Sequence, residues 1–114
     1  MEAATEIRAE FVAMLREDIG DIERQLDTLS RALVGHNTVI ETSEGMYLVN
    51  NGGKYGVTSI TRCSRWFPED ASKLCANDNI KNGAGLVAKP VKLRTALRTE
   101  LQRANELLDT VKLL

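Results

Sequence analysis

The sequence contains few of the residues on which most catalytic and metal sites depend. Its 114 residues include one histidine and two cysteines, Cys63 and Cys75, which lie twelve positions apart. This content excludes the ligand patterns of zinc sites and a disulfide framework, and we expect two free thiols. The sequence also lacks a G-x-S-x-G nucleophile motif and a G-x-x-x-x-G-K phosphate-binding loop. We therefore predict that the protein is not an enzyme and uses no cofactor or metal ion.

Long hydrophobic runs and a general excess of positive charge are absent as well. No run reaches the roughly 18 apolar residues of a membrane-spanning helix. The first six residues lack the basic and apolar regions of a signal peptide, so we expect a cytoplasmic protein. The isoelectric point near 5.8 argues against general nucleic-acid binding.

The first 34 residues have the pattern of one long helix. Apolar residues follow an uninterrupted three–four spacing, which is typical of a heptad seam. The seam consists of Val12, Leu15, Ile19, Ile22, Leu26, Leu29 and Leu33. Gly35 is suited to end the helix. A seam of this length favours a helix of a second copy as its partner, and the alternative is packing within the same domain.

Residues 37–61 have the pattern of a small antiparallel sheet. Residues 37–42 are rich in β-branched side chains, and residues 46–50 alternate about an apolar face. The asparagine and two glycines at 51–53 predict a hairpin turn, because these residues tolerate positive φ. Residues 54–61 are then the return strand. Three such short strands need a covering helix to be stable.

The rest of the chain predicts a short helix, a candidate strand and a long C-terminal helix. Pro68, followed by two acidic residues, is a typical helix start, and turn-forming residues end this helix after Ala76. Residues 86–88 are a candidate fourth strand. Pro90 is predicted to open the last helix, whose apolar residues repeat on one face.

Together these patterns predict an α+β fold in a single domain, residues 1–114. Residues 1–35 would form a dimerisation helix, and residues 36–114 would form the ligand-binding part. The only histidine, His36, stands beside the first strand without a catalytic partner in the sequence pattern. We predict a structural role for it.

Positive charge is concentrated between residues 54 and 98. This segment has nine Lys or Arg residues and three acidic ones, a net charge of +6 in a chain whose net charge is −1. Arg94 and Arg98 lie four positions apart in the first turns of the last helix, where like charges repel and the helix dipole favours anions. A bound anion would reverse both penalties. The alternatives are coverage of apolar surface by the arginine stems and pairing with an acid elsewhere.

Aromatic residues are scarce, with five Trp, Tyr or Phe in all, yet Trp66 and Phe67 are adjacent and follow Arg62 and Arg65. Aromatic rings stack on bases, and arginines bind phosphates in a forked geometry. Asn77, one short helix further on, can hydrogen-bond a base or a ribose. Core packing is the alternative for either ring. This combination of side chains predicts a nucleotide-like ligand with phosphate groups.

The series Phe67, Asn77, Arg94 and Arg98 resembles the Thoeris anti-defence protein 1 family of phages, as does the order of a long helix, a small sheet and a C-terminal helix. Members of that family act as sponges. They bind and sequester cyclic ADP-ribose isomers that a bacterial immune TIR-domain enzyme makes, and they do not degrade them. They form dimers with pockets between protomers, and some form hexamers that also bind cyclic oligonucleotides. The resemblance implies the same function here, in a homo-oligomer in the cytoplasm of a bacterial host.

The resemblance also implies roles for individual residues. By this resemblance, Phe67 would stack on the adenine and Asn77 would hydrogen-bond the ligand. Arg94 and Arg98 would bind its pyrophosphate. A further family arginine corresponds to either Arg62 or Arg65. An aromatic residue near the N terminus of the family has no counterpart here unless Phe11 replaces it.

The alternative function is a small inhibitor that acts by direct protein contact on a bacterial defence enzyme. In that case the basic segment would meet an acidic partner, and no small molecule would be involved. A third interpretation is a dimeric structural module with a solvated basic face. Uptake of a small nucleotide that heat releases unchanged would distinguish the first interpretation from the other two.

Overall fold

A computed structural model describes residues 2–29, 36–76 and 88–113. In chain order, the elements are helix α1 (Glu2–Leu29), strands β1 (Thr38–Ser43), β2 (Met46–Asn51) and β3 (Lys54–Thr58), helix α2 (Pro68–Cys75), strand β4 (Lys89–Lys92) and helix α3 (Leu93–Leu113). The predicted α+β class is therefore confirmed. Among the described helices, none combines the length and apolar character needed to cross a membrane.

The four strands form one antiparallel sheet in the order β3-β2-β1-β4. The β2–β3 hairpin has the predicted two-glycine loop, with φ of 62° at Gly52 and 95° at Gly53. Positive φ at both loop residues gives the tight turn whose twist matches that of the flanking strands. The return strand ends at Thr58, three residues earlier than predicted, because the chain turns at Ser59, whose carbonyl accepts hydrogen bonds from the two amides at positions 62 and 63.

Strands β1 and β2 pair only near the turn that joins them, at Glu41 with Tyr47 and at Ser43 with Met46. Beyond that point they separate, and residues 63–66 lie between them. The Ser64 amide donates to the carbonyl of Leu48 (3.2 Å). The Trp66 amide donates to Thr38 O (2.8 Å), and the Thr38 amide donates back to Trp66 O (3.1 Å). Residues 63–66, the bridging segment, thus satisfy backbone groups that the split sheet leaves unpaired.

The sheet is covered on both faces. On one face, α1 and α3 pack over Val39 and Tyr47, both fully buried. On the other face, α2 packs over Ile40 and Leu48, and the half-buried ring of Trp66 adds to this cluster. The predicted start of α2 at Pro68 is confirmed.

The apolar seam of α1 packs against α3 of the same chain. Leu15 and Ile19 contact Leu108 and Val111 near the end of α3, whereas Ile22 and Leu29 join the cluster at its start, so the two helices are antiparallel. The alternative of packing within the domain therefore describes the seam from Val12 to Leu29. Leu33, Gly35 and the predicted last turns of this helix lie outside the described residues. Self-association stays a prediction, but it needs another surface.

A different apolar stripe remains exposed on α1. Ile7, Phe11 and Met14 are 66%, 39% and 61% exposed, and they repeat at the three–four spacing of one helix face. Leu107 of α3 is 43% exposed. We call Ile7, Phe11 and Met14 the α1 stripe.

The prediction that Pro90 opens the last helix is wrong. Pro90 lies within β4, opposite Ile40, and α3 begins at Leu93. Strand β4 is at the edge of the sheet, where a residue without an N–H group is tolerated. Ala88, at the end of the candidate strand 86–88, precedes β4, and the other two residues lie outside the described ranges.

A partly buried polar contact joins α3 to the sheet. The hydroxyl of Tyr47 donates to Glu100 Oε1 (3.2 Å), and Arg103 Nη1 donates to the same oxygen (2.6 Å). Burial, followed by the negative charge of Glu100, raises the pKa of Tyr47 far above its ordinary value. Because each of these polar groups has a partner, the contact adds a specific link between β2 and α3.

The packing of α1 predicts that substitutions at two apolar residues of this helix change the free energy of unfolding by different amounts. Ile22 is 3% exposed, so Ile22→Ala should lower the free energy of unfolding by about 2–5 kcal/mol. Met14 is 61% exposed, and Met14→Ala should change it by no more than about 0.5 kcal/mol. Urea unfolding followed by circular dichroism measures both values. Equal effects would contradict the intramolecular packing of the seam.

Candidate anion-binding site

Three separate parts of the chain meet at the start of β1. Thr38 pairs with Lys92 of β4 on one side and with Trp66 on the other. One residue earlier, the carbonyl of Asn37 accepts a hydrogen bond from the amide of Leu93 (2.7 Å). Neighbouring chains in a sheet lie about 4.8 Å apart, so Phe67 and Leu93 flank Asn37 at a mutual distance of roughly 10 Å.

Two helices begin at this place, and their first turns differ in charge. The first turn of α2 contains Glu69 and Asp70, which complement the positive end of the helix dipole. The first turn of α3 contains no acidic residue. Lys92 precedes it and Arg94 lies within it, so positive side chains add to the positive helix end. The start of α3 is therefore the position at this edge that best attracts an anion.

The structure confirms that Arg94 and Arg98 lie one turn apart at the start of the last helix. Both are exposed, and within the described ranges neither has a hydrogen bond or an ion pair. By contrast, Arg103 pairs with Glu100 and Arg65 donates to Gln25. The predicted alternative of pairing with an acid elsewhere finds no partner in the described part of the chain.

The two adjacent aromatic residues have different surroundings. Trp66 packs beside Ile40 and Leu48, so core packing describes this ring. Phe67 is 44% exposed, and its ring lies 3.9 Å from the ring of His36, centroid to centroid, with the planes tilted by 43°. Phe67 has an extended backbone, which turns its side chain away from the face that Trp66 covers. Of the two rings, Phe67 is the one available to a ligand.

Arg62 and Arg65 lie towards α1. Arg65 Nη2 donates to Gln25 Oε1 (3.1 Å), and Gln25 Nε2 donates to the carbonyl of Thr61 (3.0 Å). Arg62 is exposed and lines a polar cleft of about 260 Å³ between α1 and the turn after β3. The cleft is lined by Asp21, Arg24, Gln25, Thr28, Thr61 and Arg62. The structure thus does not place Arg62 in one cleft with the residues at the start of α3.

The site at the start of α3 is an open surface. A cleft of about 220 Å³ lies elsewhere, between α1, α3 and the turn after β3, and its lining includes Ile60, Glu100 and Leu107. Neither this cleft nor the polar one is lined by Phe67 or Arg94. Asn77, the remaining predicted ligand residue, lies outside the described residues. A ligand held tightly at this surface needs a further wall.

Sequence reasoning missed His36, Asn37 and Lys92 as neighbours of the site. His36 was given a structural role because its local pattern contains no catalytic partner. Its contact with Phe67 depends on the pairing of Thr38 with Trp66, which joins positions 28 residues apart. No short motif signals a pairing of that kind.

No family model, curated protein or solved structure matches the chain. The chemistry of the site is therefore the guide to its ligand. Guanidinium groups at a helix N terminus bind phosphate with charge-assisted hydrogen bonds. An exposed aromatic ring beside them provides a surface on which a base can stack.

The thiol of Cys63, in the bridging segment, should make the free energy of unfolding depend on pH. Burial raises the pKa of Cys63 to about 11, while the charge of Arg65 acts in the opposite direction. An unfolded thiol has a pKa of about 8.5, so the folded state retains this proton more strongly at alkaline pH. The stability that Cys63 contributes is present below about pH 8.5, and it is lost as the pH rises towards 11.

Urea unfolding at pH 7.5 and pH 10 measures this effect. The free energy of unfolding should fall between the two values in the wild type, and it should fall less in Cys63→Ala. Tyr47, whose raised pKa acts in the same direction, is present in both proteins and cancels in the comparison. An equal fall in both proteins would contradict the burial of the Cys63 thiol.

Proposed function

We propose that the protein is a phage-like anti-defence protein that binds and sequesters a cyclic nucleotide immune messenger without degrading it. Isomers of cyclic ADP-ribose are the first candidates, and cyclic oligonucleotides are further ones. The main support is that two exposed arginines, Arg94 and Arg98, stand at the start of α3, and that the chain before α3 and the chain before the exposed Phe67 both pair with Thr38. The resemblance to the Thoeris anti-defence protein 1 family rests on these residues and Asn77.

In this proposal each group has a distinct task. Arg94 and Arg98 bind the pyrophosphate through charge-assisted hydrogen bonds, each of which is typically worth about 1.5–3 kcal/mol. Phe67 stacks on the adenine, which contributes about 1–3 kcal/mol per base. Asn77 hydrogen-bonds the ligand. Trp66 supports the chain beside Phe67 from the core side rather than by stacking on the base.

The arginine from the sheet region is best assigned to Arg65. Arg65 is two residues from Phe67, and its contact with Gln25 holds it on the same side of the bridging segment as α1 and α3. Arg62 lines the polar cleft instead. We keep Arg62 as a second contact for a ligand large enough to reach that cleft.

The proposed contacts are cationic, aromatic and amide groups, none of which is a general base or a nucleophile for this ligand. Binding should therefore leave the ligand intact. The protein would act by lowering the concentration of free messenger in the cytoplasm of the bacterial host.

The open surface also supports a role for a second protomer. A homodimer, or a higher homo-oligomer such as a hexamer, would close the exposed site by providing the missing wall. Since the seam of α1 is occupied by α3, we place one contact of the assembly on the α1 stripe. Because the stripe lies near the end of α3 and not at its start, the wall at the site comes from a second contact between protomers. This stripe is at the end where α1, with 28 residues, extends beyond the antiparallel α3, with 21.

Calorimetry of the purified protein tests the proposed site. The wild type should bind at least one member of a panel of cyclic ADP-ribose isomers and cyclic dinucleotides. Arg94→Ala and Arg98→Ala should each weaken binding roughly ten- to a hundredfold, because each 1.4 kcal/mol is about a factor of ten. Their stability without ligand should remain near that of the wild type, since the substitution relieves a like-charge pair.

Arg16→Ala is the matched control, because Arg16 is also an exposed helical arginine and lies on α1 away from the site. This variant should bind as the wild type does. Ligand recovered after heating the complex should be unchanged by chromatography. Equal binding by the Arg94 and Arg98 variants would refute the site, and a linearised ligand would refute sequestration.

Light scattering tests the proposed assembly. The wild type should have a mass that is a multiple of 12.6 kDa at micromolar concentration. Met14→Asp should lower that mass, because it puts a charge into the apolar stripe without disturbing the core. Arg16→Ala should leave it unchanged. A monomeric wild type would exclude self-association.

Direct contact with a bacterial defence enzyme is the second candidate function. The α1 stripe favours it, because exposed apolar residues of this kind can bind a different protein as well as a second copy of the same chain. If the wild type is a monomer and binds no nucleotide of the panel, this function replaces the first.

A further inference from the structure

We propose that His36 is a further ligand-binding residue, and that its ring and the ring of Phe67 together form a platform for a purine base. This proposal depends on the proposed function in one respect, which is that the ligand is a nucleotide. It assigns a binding role to a residue that the sequence pattern marks as structural.

The ring pair is a surface feature rather than part of the core. The ring centroids are 3.9 Å apart, both residues are exposed, and neither belongs to a buried cluster in the described part of the chain. A pair of rings in contact at the surface leaves apolar faces in water. Stacking of a flat apolar ligand on them would remove these faces from water.

Backbone hydrogen bonds fix the chain next to each ring, and the rings contact each other. Phe67 follows Trp66, which is bonded twice to Thr38. His36 precedes Asn37, whose carbonyl is bonded to Leu93. The platform is thus anchored on both sides before any ligand arrives, which lowers the entropic cost of binding.

Backbone pairing places the platform near the start of α3. Thr38 is opposite Trp66 on one side and Lys92 on the other, so His36 lies two residues from the point where the chains that lead to Phe67 and to α3 both meet β1. Arg94 is one residue beyond the Leu93 amide that bonds Asn37. A nucleotide whose base lies on the rings can therefore direct its phosphates towards Arg94 and the positive end of α3.

The tilt between the rings leaves part of each ring uncovered, so the two rings can make different contacts with a ligand. With planes inclined by 43°, the rings do not cover each other fully, so each has an open area. The imidazole also has an N–H group, which phenylalanine lacks. His36 can therefore hold the ring of Phe67 on one side and hydrogen-bond the edge of a base or a phosphate oxygen on the other.

Titration with adenosine monophosphate, followed by NMR of the full protein, tests the platform directly. The proton signals of His36 and of the Phe67 ring should both shift and saturate together. His36→Ala should weaken this binding roughly tenfold, His36→Leu should weaken it similarly, and His36→Phe should retain most of it because a ring remains. Tyr55→Leu is the control, because Tyr55 is an exposed aromatic residue of β3, 49% exposed, outside the site.

The outcomes separate this proposal from the proposed function. If His36→Ala or His36→Leu binds adenosine monophosphate as the wild type does, the platform is refuted. If a cyclic messenger binds and Arg94→Ala loses it while the His36 variants do not, the function stands and the platform falls. If adenosine monophosphate shifts both rings but no cyclic messenger binds, the platform stands and sequestration fails. If neither ligand binds, both are refuted.

Discussion

The double pairing of Thr38 is the constraint on which the rest of the arrangement depends. One side of its backbone meets β4 and the other meets the bridging segment. This pairing sets where α2 and α3 begin, since each helix starts directly after a chain that is bonded to β1. It also separates the two neighbouring aromatic residues, turning Trp66 into the core and leaving Phe67 at the surface. Without it, the aromatic and the cationic halves of the proposed site would have no fixed relation.

The first turns of α2 and α3 carry opposite charge. The acids at the start of α2 satisfy its dipole within the chain, whereas the start of α3 is left with positive side chains and no acid. Some other positive groups, such as Lys89 and Arg103, have carboxylate partners. The start of α3 is a local concentration of positive side chains in a chain with a net charge of −1, and this is the electrostatic basis of the proposed anion site.

The sequence predicted the features that depend on neighbouring residues. The hairpin at Gly52 and Gly53, the start of α2 at Pro68 and the paired arginines of the last helix follow from local backbone preferences and helical spacing. The sequence did not predict the strand that contains Pro90, because its extended form depends on the distant strand β1. The seam of α1 favoured a helix of a second copy as its partner, whereas it packs on α3 of the same chain, because an apolar pattern does not state which chain provides the partner. The contact of His36 with Phe67 was not predicted either, because the two residues are far apart in the sequence.

The long-range character of the β1–β4 pair has a consequence for the order of folding. Val39 and Val91 are opposite each other although about half of the chain lies between them, so their pairing closes a long loop and costs more entropy than the β2–β3 hairpin. The hairpin and the helices can form from local contacts, whereas the start of β1 acquires its second neighbour only when the topology is complete. The surface around His36 and Arg94 therefore does not exist in partly folded chains. Under the proposed function, such chains would bind no messenger, and only fully folded molecules would sequester it.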